Sequence, residues 1–102
     1  MVKYTLKLMH SEKPNIYGEY NQLVLKNVLG EEIPKKEDIL DSTGIKEYIQ
    51  NYDRLDNSQA YYYCHYGNSK FVVKNIEHFL TENNSHLEAS TIVTAVKLDN
   101  NL

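Results

Sequence analysis

A chain of 102 residues has room for one hydrophobic core, and with 41% hydrophobic and 25% charged residues it has the balance of a folded domain, which excludes disordered, collagen-like and coiled-coil chains. Its one cysteine, Cys64, excludes an intramolecular disulfide and the stapled secreted scaffolds that depend on one. The formal net charge is −3 and Arg54 is the sole arginine, so the guanidinium forks that read phosphate and guanine are nearly missing and nucleic acid is disfavoured as a partner.

Val2, Tyr4, Leu6 and Leu8 alternate with Lys3, Thr5 and Lys7, which predicts a strand over residues 2–9 with one buried face. The same lysines interrupt the apolar run that a signal peptide needs, and nothing approaches the roughly 20 apolar residues of a membrane span. A cytoplasmic location without membrane contact is therefore expected. A turn follows at Ser11 to Asn15, where Pro14 fixes φ. Residues 21–28 are ambiguous: Tyr20, Leu23, Val24, Asn27 and Val28 fit helical spacing, while Leu23 and Leu25 fit a strand, which is the reading preferred.

After the break from Gly30 to Pro34, Ile45, Tyr48, Ile49 and Tyr52 recur at i, i+3, i+4 and i+7 and predict an amphipathic helix capped by Ser42 or Thr43. The ring-bearing run from Ala60 to Tyr66 favours a strand, with Gly67-Asn68 as a hairpin-type turn. A short strand over residues 70–74 is then expected to give way to a helix from Asn75 to Glu82, with Asn75 as N-cap and Asn83-Asn84 as terminator. The β-branched run Thr91 to Val96 is apolar on both faces and belongs in the middle of a sheet. Together these elements predict a single α+β domain over residues 1–102: a mostly antiparallel sheet of four or five strands with two helices packed on one face.

The most unusual feature is the cluster of tyrosines. On a strand, Tyr61 and Tyr63 share one face with His65, and Tyr62 and Tyr66 share the other with Cys64, so some of these rings face away from the core. Tyrosine offers a large amphipathic contact for little lost rotamer freedom, which suits a binding surface. Residues 31–56 add an acidic stretch of net charge −4 that includes Glu37, Asp38 and Asp41, able to attract a basic partner. The expectation is a small non-enzymatic protein-binding module, an inhibitor or accessory factor, that contacts another protein or a second copy of itself through Tyr61, Tyr62, Tyr63, His65, Tyr66, Glu37, Asp38 and Asp41. Its Asn-, Lys-, Tyr- and Ile-rich composition is that of an AT-rich genome and suits a bacterial or phage accessory protein.

The alternative is a small enzyme or ligand-binding protein with a pocket near Cys64 and His65, although neighbours on a strand project to opposite sides and cannot share a proton. No cofactor or metal is expected. His78 and Glu82 at i, i+4 with His86 beyond lack a ligand from elsewhere in the chain, and four glycines leave little room for a phosphate loop. Asp41-Ser42-Thr43-Gly44 has one residue too many for the Asp-Thr/Ser-Gly turn of retroviral-type aspartic proteases, and is read as helix capping.

Overall fold

The computed structural model describes residues 1–14, 16–18, 22–45 and 66–98. Over these residues the alternating apolar pattern is realised as one curled, mixed sheet of five strands. They are β1 (Val2–Met9), β2 (Gln22–Gly30), β3 (Ile39–Asp41), β4 (Lys70–Asn83) and β5 (His86–Lys97), with a 3-10 turn at Thr43–Ile45. The spatial order is β2-β1-β5-β4-β3. β1 pairs antiparallel with β2 and parallel with β5, while β4 pairs antiparallel with both β5 and β3.

One face of this sheet carries the core. Leu6 and Leu8 of β1 lie opposite Leu25 and Leu23 on one side and opposite Val93 and Ala95 on the other. Val73 faces Ala95, and Phe71 faces Leu40. Leu8, Phe71, Val73, Val93 and Ala95 are essentially sealed from solvent. Ile92 to Val96 is the only stretch of β5 paired on both sides among the described residues, as its apolar character on both faces leads one to expect.

Two β-bulges set which side chains reach the core. In β2, Lys26 and Asn27 together oppose Thr5, and Asn27 takes a positive φ of 61°, a conformation that asparagine tolerates better than most residues. In β4 the register with β5 shifts at Lys74. Each bulge brings two residues three apart onto one face: Leu25 with Val28, and Val73 with Ile76, all of which join or pack against the core. A three-residue interval is also the signature of a helix. That coincidence explains the ambiguity over residues 21–28, which form strand β2.

The predicted α+β architecture, with two helices packed on one face of the sheet, is not found: among the described residues the named elements are five strands and the 3-10 turn, and Tyr66 is the one α-helical residue. The helix expected from Asn75 to Glu82 is instead the outer half of β4. Asn75 is paired with Thr94 rather than capping a helix, and Asn84-Ser85 reverses the chain into β5. Both turn residues have positive φ, 49° and 70°, the pattern of a two-residue type I′ hairpin turn, whose twist matches that of the flanking strands. The other expected helix falls largely outside the described residues, as does the ring-rich strand from Ala60, whose last residue, Tyr66, is described and is helical rather than extended. At its expected start, Ser42 is bonded to Ser69 and Thr43 to Asp41.

The division between core and periphery is open to measurement. At low protein concentration, Leu8→Ala is expected to cost about 2–5 kcal/mol in urea unfolding, as for other sealed leucines. Leu80→Ala, on the outer half of β4, should stay within about 0.5 kcal/mol of wild type. Equal losses at the two positions would contradict this division.

Candidate functional site

The acidic residues singled out in the sequence are exposed, and two of the three are committed to local structure. Lys35 donates its backbone N–H to the Asp38 carboxylate at 2.9 Å, and Asp38 returns a backbone bond to the Lys35 carbonyl at 3.0 Å. Within this turn Glu37 has a φ of 74°, and its N–H reaches the Val73 carbonyl at 2.9 Å. The Asp38 carbonyl accepts from the Val73 N–H, also at 2.9 Å. The turn thus closes the β3–β4 ladder at Val73, one residue before the bulge.

Asp41 accepts from the Thr43 hydroxyl at 2.6 Å and from the Thr43 N–H at 2.9 Å. These two bonds, the hydroxyl first, hold its carboxyl below the usual carboxylate range. The neighbouring Ser42 is buried, donating to the Ser69 carbonyl and accepting from the Ser69 N–H. Asp41 and Thr43 therefore satisfy each other, and Ser42 ties their turn to Ser69.

Tyr66 is buried, with its ring nearly parallel to that of Phe71 at 6.1 Å and edge-on to His10 at 6.2 Å. Its surface is committed to the core. Tyr61, Tyr62, Tyr63, Cys64 and His65 lie outside the described residues. The core face borders a half-open hollow of about 410 Å³, lined by Leu6, Leu25, Val28, Leu40 and Phe71 among others. Tyr4 borders it, and burial pushes the Tyr4 hydroxyl above its ordinary pKa. The polar groups at its rim include Asp41 and Ser42, which are already engaged as described.

The feature that periodicity concealed is the outer half of the β4–β5 hairpin. The β3 ladder stops at Val73 and the β1 pairing of β5 begins only at Ile92, so residues 77–91 form a two-stranded ribbon. Every residue from 77 to 90 is exposed. Ile76, His78, Leu80 and Glu82 project on the face that bears Val73 and Val93, so the core face of the sheet runs on without a cover among the described residues. Leu80 and Leu87 sit on that face at 77% and 78% exposure, and Phe79 sits on the other at 39%. Two cross-strand contacts brace the ribbon: His78 Nδ1 lies 3.0 Å from Thr91 Oγ1, and the Asn83 amide donates to Glu88 at 3.3 Å.

Comparison with known protein families, curated proteins and solved structures finds no match. The chemistry must be read from the ribbon itself. It carries Glu77, Glu82 and Glu88 but no lysine, arginine, proline or glycine between residues 75 and 92. His78 and Glu82 are four residues apart on a strand, roughly 13 Å, too far to share a metal. Among the described residues no group of three or more His, Cys, Asp or Glu side chains could hold one, and no helix is long and apolar enough to cross a membrane. The sequence signal for the ribbon was available: Asn84-Ser85 centres two apolar-bearing runs, as a two-residue hairpin turn does.

The account of Asp41 can be tested directly. Thr43→Val removes the hydroxyl donor while keeping the side-chain shape, and the Asp41 carboxyl is expected to titrate at higher pH, nearer the ordinary carboxylate value, in a carbon-detected NMR titration. An unmoved midpoint would show that the hydroxyl is not what holds it down.

Proposed function

We propose that this chain is a protein-binding module and that its contact element is the β4–β5 ribbon. The observation that carries this reading is the pair Leu80 and Leu87, more than three-quarters exposed on a continuation of the core face. An isolated two-stranded hairpin is at best marginally stable in water, and long exposed edges are commonly blunted with lysine, proline or a covering element. This ribbon has neither lysine nor proline between residues 75 and 92, and its edge beyond Val73 has no neighbouring strand among the described residues. A partner that lays a strand along the edge or an apolar surface over the leucines would remove both liabilities.

The protein-binding role is the one expected from the tyrosine cluster and the acidic segment, with the contact element moved to the ribbon. Glu37 stands at the foot of the open edge, where its bond to Val73 limits how far an added strand can run. Asp38 and Asp41 shape the adjoining turns. Affinity capture from lysate of the source organism or its host, comparing wild type with folded Leu80→Ser/Leu87→Ser, tests the assignment. Proteins retained by wild type are expected to be lost from the variant; an identical set on both would remove the ribbon from the contact.

A further inference from the structure

The open edge of β4 is complementary to itself. The two-residue turn closes on the pair Asn83 and His86, which makes that rung a hydrogen-bonded one in which both residues aim their N–H and C=O groups at each other. Alternation along the strand then points the backbone groups of Thr81, Phe79 and Glu77 toward β5, and those of Glu82, Leu80, His78 and Ile76 outward. The bulge at Lys74 reverses this parity, in agreement with Val73, whose N–H and C=O are both bonded on the β3 side. The outward-facing edge therefore runs from Ile76 to Glu82 and is closed at its foot by Glu37.

Resting on the reading of the ribbon as a contact element, we infer that the occupant of this edge is a second copy of the same chain, added antiparallel about a two-fold axis at Leu80. This register sets Leu80 against its own copy and His78 against Glu82 of the partner subunit, twice. Both are rungs between outward-facing residues, so backbone hydrogen bonds form at each. On the opposite face it sets Phe79 against the partner's Thr81 and Glu77 against the partner's Asn83. No two carboxylates are opposed. The turn at Asn84 comes to rest against the partner's Ile76, short of the shoulder at Glu37, so the whole open edge is used.

A two-residue slip to an axis at Phe79 also satisfies the backbone, but it lays Glu82 against the partner's Ile76 and His78 against the partner's Leu80. A slip to an axis at Thr81 lays Leu80 against the partner's Glu82. The Leu80 register is the one that pairs apolar with apolar and carboxylate with imidazole. Each ribbon has three glutamates and no basic residue other than histidine, so two copies repel at long range. Salt screens that repulsion within about 8 Å at physiological ionic strength. Self-association should therefore strengthen as salt is raised, whereas a basic partner would bind less tightly.

Sedimentation equilibrium of the full chain, over a range of concentrations at low and high salt, tests the inference. Wild type is expected to show a reversible monomer–dimer equilibrium that tightens with salt. His78→Glu, which opposes carboxylates on both symmetric rungs, should weaken dimerisation about tenfold, and His78→Glu/Glu82→Lys should restore it. Leu80→Pro removes an outward N–H without touching the ladder to β5 and should leave a folded monomer. A wild type that stays monomeric throughout, or a dimer indifferent to His78→Glu and Leu80→Pro, overturns the inference. A monomer that nevertheless loses captured proteins on Leu80→Ser/Leu87→Ser overturns the self-pairing alone and leaves the contact role of the ribbon standing.

Discussion

Everything else in the sheet depends on the pairing of Ile92 to Val96, the stretch of β5 held by β1 on one side and β4 on the other. Val93 and Ala95 contribute the sealed rungs at its centre. The short side chain of Ala95 stands between Leu8 on one neighbour and Val73 on the other. Because β1 runs parallel to β5 and β4 runs antiparallel, this stretch joins two hairpins, β1–β2 and β4–β5, that meet nowhere else in the ladder pattern among the described residues. Once it is fixed, the rest of β5 has to leave the body of the sheet, taking the outer half of β4 with it.

That geometry links the core to the proposed function. The face that buries Val93 and Val73 continues through Ile76 to His78, Leu80 and Glu82 without a change of side, so the pattern that builds the interior also builds the exposed patch. Among the described residues, the ribbon beyond Ile92 is stiffened by its own rungs, its turn, two cross-strand side-chain contacts and the bond from Asn75 to Glu77 along β4. A contact surface of this kind is completed by association rather than by folding, and its open backbone supplies direction as well as affinity.

The legibility of the fold followed the regularity of the pairing. β1 and the centre of β5 pair without interruption in the buried region, and their patterns of alternation or continuous β-branching could be read from the residues alone. β2 and β4 each contain a bulge, and a bulge turns a period of two into an interval of three. Val73 with Ile76, followed by Phe79 and Leu80 on the two faces of an uncovered ribbon, therefore imitates an amphipathic helix. Strand propensity gave no correction, because Asn75, Glu77, His78 and Glu82 are weak strand formers that this region accommodates by exposure. The positive-φ pair Asn84-Ser85 was the feature that favoured a hairpin.

The site was less legible than the fold. The acidic character of Glu37, Asp38 and Asp41 is plain in the sequence, but the hydrogen bonds that commit Asp38 and Asp41 to their turns, and Glu37 to Val73, depend on a register that the sequence does not display. Tyr66 was placed among the binding residues because ring-rich strands suit interfaces, whereas its neighbours in space, Phe71 and His10, hold it in the core. Leu80 and Leu87 carry no signal of exposure in the sequence, since apolar residues at these positions become surface only once β4 and β5 are paired as an uncovered ribbon.

The account turns on β4 remaining a strand to Asn83, with its odd and even residues facing opposite edges. Residue-resolved amide hydrogen exchange by NMR, at a concentration low enough to keep the chain monomeric, reads this most directly. The amides of Glu77, Phe79 and Thr81 should be protected by β5, and those of His78, Leu80 and Glu82 should exchange quickly. Uniform protection across residues 77–82 with helical sequential contacts, or no protection at any of them, would contradict the account.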